Sequence, residues 1–131
     1  MSLIKPELER VYGGKDNQKI YTRLIEENYT GFVILTYYQN GIIMNEKEWQ
    51  NGRPYGYQIE YYDNGQLNYY DQLDDYNDIG PSKAFWPDGS VKFEEIETES
   101  GWVERQYDQV GNITFESGKN GTFGEWIDYT L

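Results

Sequence analysis

Tyr37-Tyr38-Gln39-Asn40-Gly41, Tyr61-Tyr62-Asp63-Asn64-Gly65 and Phe85-Trp86-Pro87-Asp88-Gly89 follow one another at steps of 24 residues. Each writes two aromatics, a spacer, Asn or Asp, and Gly. Aromatic residues favour strands. Asn-Gly and Asp-Gly favour two-residue hairpin turns, whose central positions need positive φ. The stretch therefore reads as the end of one strand and the turn into the next. An apolar residue follows each Gly by two positions: Ile43, Leu67, Val91 and, in a fourth copy, Ile113 after Gly111. Two residues further stand Asn45, Tyr69, Phe93 and Phe115. This period of two marks a half-buried outgoing strand.

The incoming strands carry their own mark. Gly56 and Gly80 precede Tyr61 and Phe85 by five residues, and Gly31 precedes Tyr37 by six. In the fourth copy Gly101 precedes Gln106 by five, which puts Tyr107 in the second aromatic position with one extra residue before Gly111. Second turns fall between the hairpins. They are Gln50-Asn51-Gly52, the acidic stretch Asp74-Asp75-Tyr76-Asn77-Asp78, Thr98-Glu99-Ser100-Gly101 and Lys119-Asn120-Gly121. The expected fold is all-β: an elongated antiparallel meander of repeated β-hairpins, with strands of about six to nine residues. Stacked hairpins bury what one hairpin alone cannot. Tyr37, Tyr61 and Phe85 are expected in one aromatic row, and Tyr38, Tyr62, Trp86 and Tyr107 in the opposite one. Residues 1–30 are expected to form an N-terminal cap, with a weak helical signal over Pro6–Val11 and a degenerate strand over Lys19–Ile25. Residues 31–131 are the repeat domain, and the chain is one domain overall.

Composition narrows function. The chain has 131 residues, no cysteine and no histidine. That removes thiolate zinc sites, disulfides and every His-assisted nucleophile. The longest uncharged apolar run, Phe32-Val33-Ile34-Leu35, is far too short to span a bilayer. With no apolar leader near its start, the chain is expected in the cytoplasm. Residues 1–57 carry seven acidic and seven basic side chains, whereas residues 58–131 carry 16 acidic and four basic. The whole net charge of −12 thus lies in the second part. Such a field repels nucleic acid and anionic lipid and attracts basic proteins. It also keeps an aromatic-rich repeat protein soluble.

Residues 37–67, YYQNGIIMNEKEWQNGRPYGYQIEYYDNGQL, resemble the bacterial MORN-repeat variant family that includes YwqK-like antitoxin and immunity proteins. The family repeats Tyr-Tyr-x-Asn-Gly-x-Leu, then Glu, then an aromatic-x-Asn-Gly turn, then Gly and an aromatic. The likeness covers residues 31–126, ending on the half copy Asn120-Gly121-Thr122-Phe123-Gly124-Glu125-Trp126. It departs at Leu73–Asp78, where family members carry Lys and Gly and this chain carries its densest acidic loop. The resemblance implies a long antiparallel sheet that binds protein, and in toxin systems a chain that neutralises a neighbouring toxin. Gly101-Trp102-Val103 and Gly124-Glu125-Trp126 are also similar to choline- and cell-wall-binding repeats, whose aromatics hold a quaternary ammonium.

Chemistry-bearing motifs are sparse. Gly13-Gly14-Lys15 lacks the remaining residues of a phosphate loop. Asp75-x-Asn77 with Gly80 lacks the closing Glu of a calcium loop, since Trp86 stands there. The paired acids Glu94–Glu95, Glu97–Glu99 and Asp74–Asp75 would serve a glycosidase only in contrasted environments. No enzyme activity, cofactor or metal is expected. The expected partner is a basic protein such as a toxin encoded nearby, not nucleic acid or a membrane. The candidate partner-binding residues are Asp71, Asp74, Asp75, Tyr76, Asp78, Glu94, Glu95, Glu97, Glu99 and Trp102. The acids would replace nucleic-acid phosphates in a basic cleft, and Tyr76 and Trp102 would anchor. Two other readings stand: a carbohydrate or cell-wall binding module built on aromatic platforms, and a structural scaffold. The chain is expected as a monomer or, through sheet edges, a homodimer.

Overall fold

A computed structural model describes residues 6–23, 29–74, 77–78, 82–98 and 101–118. These form eleven strands: β1 (Leu8–Val11), β2 (Gln18–Arg23), β3 (Phe32–Tyr37), β4 (Ile43–Gln50), β5 (Arg53–Tyr61), β6 (Leu67–Asp74), β7 (Asn77–Asp78), β8 (Ser82–Phe85), β9 (Val91–Thr98), β10 (Gly101–Tyr107) and β11 (Ile113–Gly118). All belong to one antiparallel meander in chain order, and β7 and β8 both pair with β6. The described residues contain no helix.

The helical expectation at Pro6–Val11 is wrong. Leu8–Val11 is β1, in register with Val11↔Ile20 at one end and Leu8↔Arg23 at the other. A six-residue helix is a poor structure in water. Pairing with β2 satisfies the same backbone and lets Leu8 reach the core. The strand expected at Lys19–Ile25 is present over Lys19–Arg23 as part of β2, and residues 24 and 25 lie outside the described residues.

The hairpin turns differ in kind from the expectation. Tyr38 N–H donates to the Ile42 carbonyl at 2.8 Å and Gly41 N–H to the Tyr38 carbonyl at 3.0 Å. The same pair of bonds recurs at Tyr62/Gln66, Trp86/Ser90 and Asp108/Asn112. The loop therefore has three residues, a turn followed by a glycine bulge, and only the glycine needs positive φ. Gly41, Gly65, Gly89 and Gly111 sit at φ 87–95°. Asn40, Asn64 and Asp88 instead accept N–H bonds from Ile42, Gln66 and Ser90 through their side-chain oxygens. The two-residue turn that Asn-Gly suggests occurs at Asn51-Gly52, with φ 53° and 76°.

Tyr107 also changes place. It pairs with Ile113, as Tyr37 pairs with Ile43, Tyr61 with Leu67 and Phe85 with Val91. A register shift falls immediately before each of the four aromatics. Tyr107 thus belongs to the first aromatic row, and the last step is 22 residues with no insertion. Asp108 fills the second aromatic position. Its Oδ1 accepts from Val110 N–H at 3.0 Å and Asn112 N–H at 2.9 Å, replacing the missing Asn within the loop. These bonds hold the Asp108 carboxyl below its usual range, with the Asn112 N–H the largest cause.

One face of the sheet holds the core. Val33, Leu35, Tyr57, Ile59 and Tyr70 form its buried cluster, flanked by Tyr21, Tyr37, Ile43, Tyr61, Leu67 and Phe85. Along this face the register runs Leu35–Glu46–Ile59–Tyr70–Lys83–Glu94–Arg105–Glu116. The row is apolar with one acid in the first half and alternates in charge in the second. Bulges at the four glycine-loop hairpins bend and twist the strands, which suits a single sheet that must cover its own face.

Candidate functional site

Antiparallel register sorts the turns. β4, β6 and β9 all start at the glycine loops and end at the opposite edge of the sheet. The strand ends Gln50 and Arg53, Asp74 and Asn77, and Thr98 and Gly101 therefore lie along one edge. Asp74 ends β6, Asp78 pairs with Leu73, and Glu97 pairs with Trp102, all at this edge. Asp75, Tyr76 and Glu99 lie outside the described residues. Asp74 is exposed and stands opposite Tyr55 across β5 and β6. Gln50, Asn51, Arg53, Tyr55 and Asp74 line a groove of about 540 Å³ there.

Three other candidates lie elsewhere. Asp71 is 5% exposed, and its Oδ2 accepts from Tyr69 Oη at 3.1 Å. Glu94 is 8% exposed, takes the Lys83 ammonium at 3.1 Å and accepts from Tyr107 Oη at 2.8 Å. Both are inside the sheet and neither offers its charge to a surface partner. Composition could not reveal this, because an acid's face follows from register. Glu95 is half-buried and pairs directly with Glu104, a like-charge pair that weakens the β9–β10 ladder.

Sequence reasoning missed two buried carboxylates. Glu46 accepts from Tyr57 Oη at 3.0 Å and Tyr61 Oη at 2.8 Å. Glu48 takes Arg23 bidentately at 2.7 and 2.8 Å, Tyr29 Oη at 2.5 Å and the Tyr57 N–H at 3.1 Å. Each is 2% exposed. Burial pushes the Tyr57, Tyr61 and Tyr29 hydroxyls well above the usual tyrosine range, and their carboxylate partners push them further. Arg23 balances the Glu48 charge and the tyrosine hydroxyls satisfy the carboxylate oxygens, so the network fastens β2 and the Tyr29 segment to the repeats. A signal existed: Glu46 and Glu48 alternate with Lys47, in phase with Leu35 and Val33 opposite.

Among the described residues no three acids gather where they could hold a metal ion. The described residues contain no helix long and apolar enough to cross a membrane. No family model, no curated protein and no solved structure matches the chain.

Proposed function

We propose that this is a MORN-variant repeat protein of the bacterial cytoplasm that binds another protein and has no catalytic role of its own. In the specific form of this reading it is an immunity or antitoxin protein. Its acidic edge docks over a basic cleft, such as a nuclease active site. The observation that supports it is that the strand ends flanking two consecutive second turns lie along one sheet edge. That edge carries Asp74 and Asp78 from one turn and Glu97 from the next. Asp75 and Glu99 lie between the paired strand ends in sequence. Carboxylates on one edge imitate a phosphate run, steer a basic partner and exclude anionic ones. Asp71 and Glu94 take no part, because they are internal.

The test is capture of partners with the full chain as bait, followed by assay of the captured protein's activity with and without the chain. A basic enzyme silenced at one equivalent is the expected result. A captured enzyme that stays active in the complex would leave a scaffold in place of an inhibitor.

A further inference from the structure

The tyrosines of the second aromatic position act as clasps between hairpins. Tyr38 Oη donates to the Tyr61 carbonyl at 2.7 Å, and Tyr62 Oη to the Phe85 carbonyl at 2.6 Å. The third hairpin has Trp86 in that position and makes no such bond. Its buried indole Nε1 has no partner. A buried donor without an acceptor is uncommon in a native sheet and costs stability. Beside it lies a groove of about 520 Å³, lined by Trp86, Lys92, Phe93, Gln106, Tyr107 and Thr114.

We infer that this groove binds an uncharged pyranose ring. Its volume falls in the range of small-molecule sites. Phe93 pairs with Gln106 across β9 and β10, so an aromatic ring and a carboxamide stand side by side. A pyranose needs this combination: its C–H face lies on an aromatic ring, while its equatorial hydroxyls reach neighbouring polar groups. Thr114 adds a hydroxyl, and Lys92 adds an ammonium held 4.8 Å from the Trp86 ring centroid. That cation fixes the indole as a wall.

The lining also argues against other occupants. No carboxylate lines the groove. A quaternary ammonium would therefore find the Lys92 charge and no counter-charge. A nucleotide or another polyanion is repelled by a chain of net charge −12. The groove lies at the glycine-loop end of the strands. Glu97 lies at the other end of β9, about 17 Å from Lys92 along the strand. The inference is independent of the acidic edge and of any protein partner.

Backbone amide NMR of the full chain with cellotriose, maltotriose and chitotriose tests it. Saturable shifts confined to residues 86, 92–93, 106–107 and 114 are expected with at least one of them. Phe93→Ala and Gln106→Ala should each weaken binding by about tenfold, with the remaining amide spectrum unchanged. Trp86→Tyr should also lose it, by restoring the clasp. Neutralising Asp74, Asp78 and Glu97 should leave it intact. The inference is overturned if no sugar gives saturable shifts, if the shifts map elsewhere, or if tetramethylammonium binds the groove in their place.

Discussion

Glu48 occupies the space that a side chain on residue 56 would need. A Cβ on Gly56 would come 1.8 Å from Glu48 Oε1, and Gly56 sits at φ 104°. The same Oε1 accepts the Tyr57 N–H at 3.1 Å. Glycine here permits both the backbone conformation and the approach of a buried carboxylate.

Gly56→Ala should therefore be among the most damaging small substitutions in the chain. It strains the backbone and displaces a carboxylate that holds Arg23 and Tyr29. A loss of about 3 kcal/mol is expected from a broken buried network. Urea denaturation measures it. Amide exchange should accelerate first in β2, because its Arg23 loses its partner. Alanine at Gly41, whose Cβ would meet nothing within 4 Å, should cost about 1 kcal/mol through backbone conformation alone.

The tyrosine–glutamate network sets a pH dependence at the alkaline end. An unfolded tyrosine loses its proton near pH 10. Tyr57, Tyr61 and Tyr29 hold theirs above that in the fold, because burial and the neighbouring carboxylates disfavour the phenolate. A raised folded pKa means that the stabilisation is complete below about pH 10 and is lost as pH rises beyond it. For Tyr57 alone the slope is about 1.4 kcal/mol per pH unit. Thermal midpoints from pH 8 to 11, with Glu46→Gln as control, measure this. The control should leave most of the alkaline decline in place, since it removes the charge facing Tyr57 and Tyr61 but not their burial, the larger cause.

Much of the fold is legible in the sequence, and the reasons why the rest is not are local. The aromatic-x-Asn-Gly spacing gives the hairpins, because aromatic pairs and glycine at positive φ have few other uses at a fixed interval. It does not give the loop type, since Asn-Gly suits both a two-residue turn and a bulged three-residue loop. Tyr107 is misplaced by counting because Asp108, which supplies the loop's acceptor, itself stands in the second aromatic position. The acidic edge is legible as composition. Its depletion by the buried Asp71 and Glu94 is not, since the burial of each acid depends on what neighbouring strands bring against it. Glu46 and Glu48 read as ordinary surface acids until Tyr57, Tyr61 and Arg23 are brought against them from other strands.

The Lys83–Glu94 pair sits where the core row turns ionic, between Tyr70 and Arg105. Removing one partner leaves a buried charge. Lys83→Met or Glu94→Leu should each cost about 3 kcal/mol. The double replacement Lys83→Met with Glu94→Leu should recover most of that loss, although the Tyr107 hydroxyl then needs a new acceptor. A double-mutant cycle in urea measures the coupling.

Trp86→Tyr tests the clasp as a structural element. A hydroxyl at this position should reach the Tyr107 carbonyl, as Tyr38 and Tyr62 reach theirs. It also removes the unpartnered indole N–H. A gain of about 1 kcal/mol is expected, read as a raised thermal midpoint and slower amide exchange across β10 and β11. An unchanged midpoint would show that the last hairpin docks without the clasp.

The central claim is that the acidic edge binds a basic protein. The direct measurement is the affinity of the captured partner for the native chain and for a variant with Asp74→Asn, Asp75→Asn, Asp78→Asn, Glu97→Gln and Glu99→Gln, across a salt series. The account predicts tight binding by the native chain that weakens steeply with salt. It predicts weak, salt-insensitive binding by a variant whose thermal midpoint is unchanged. Equal affinity of both chains at every salt concentration would contradict it.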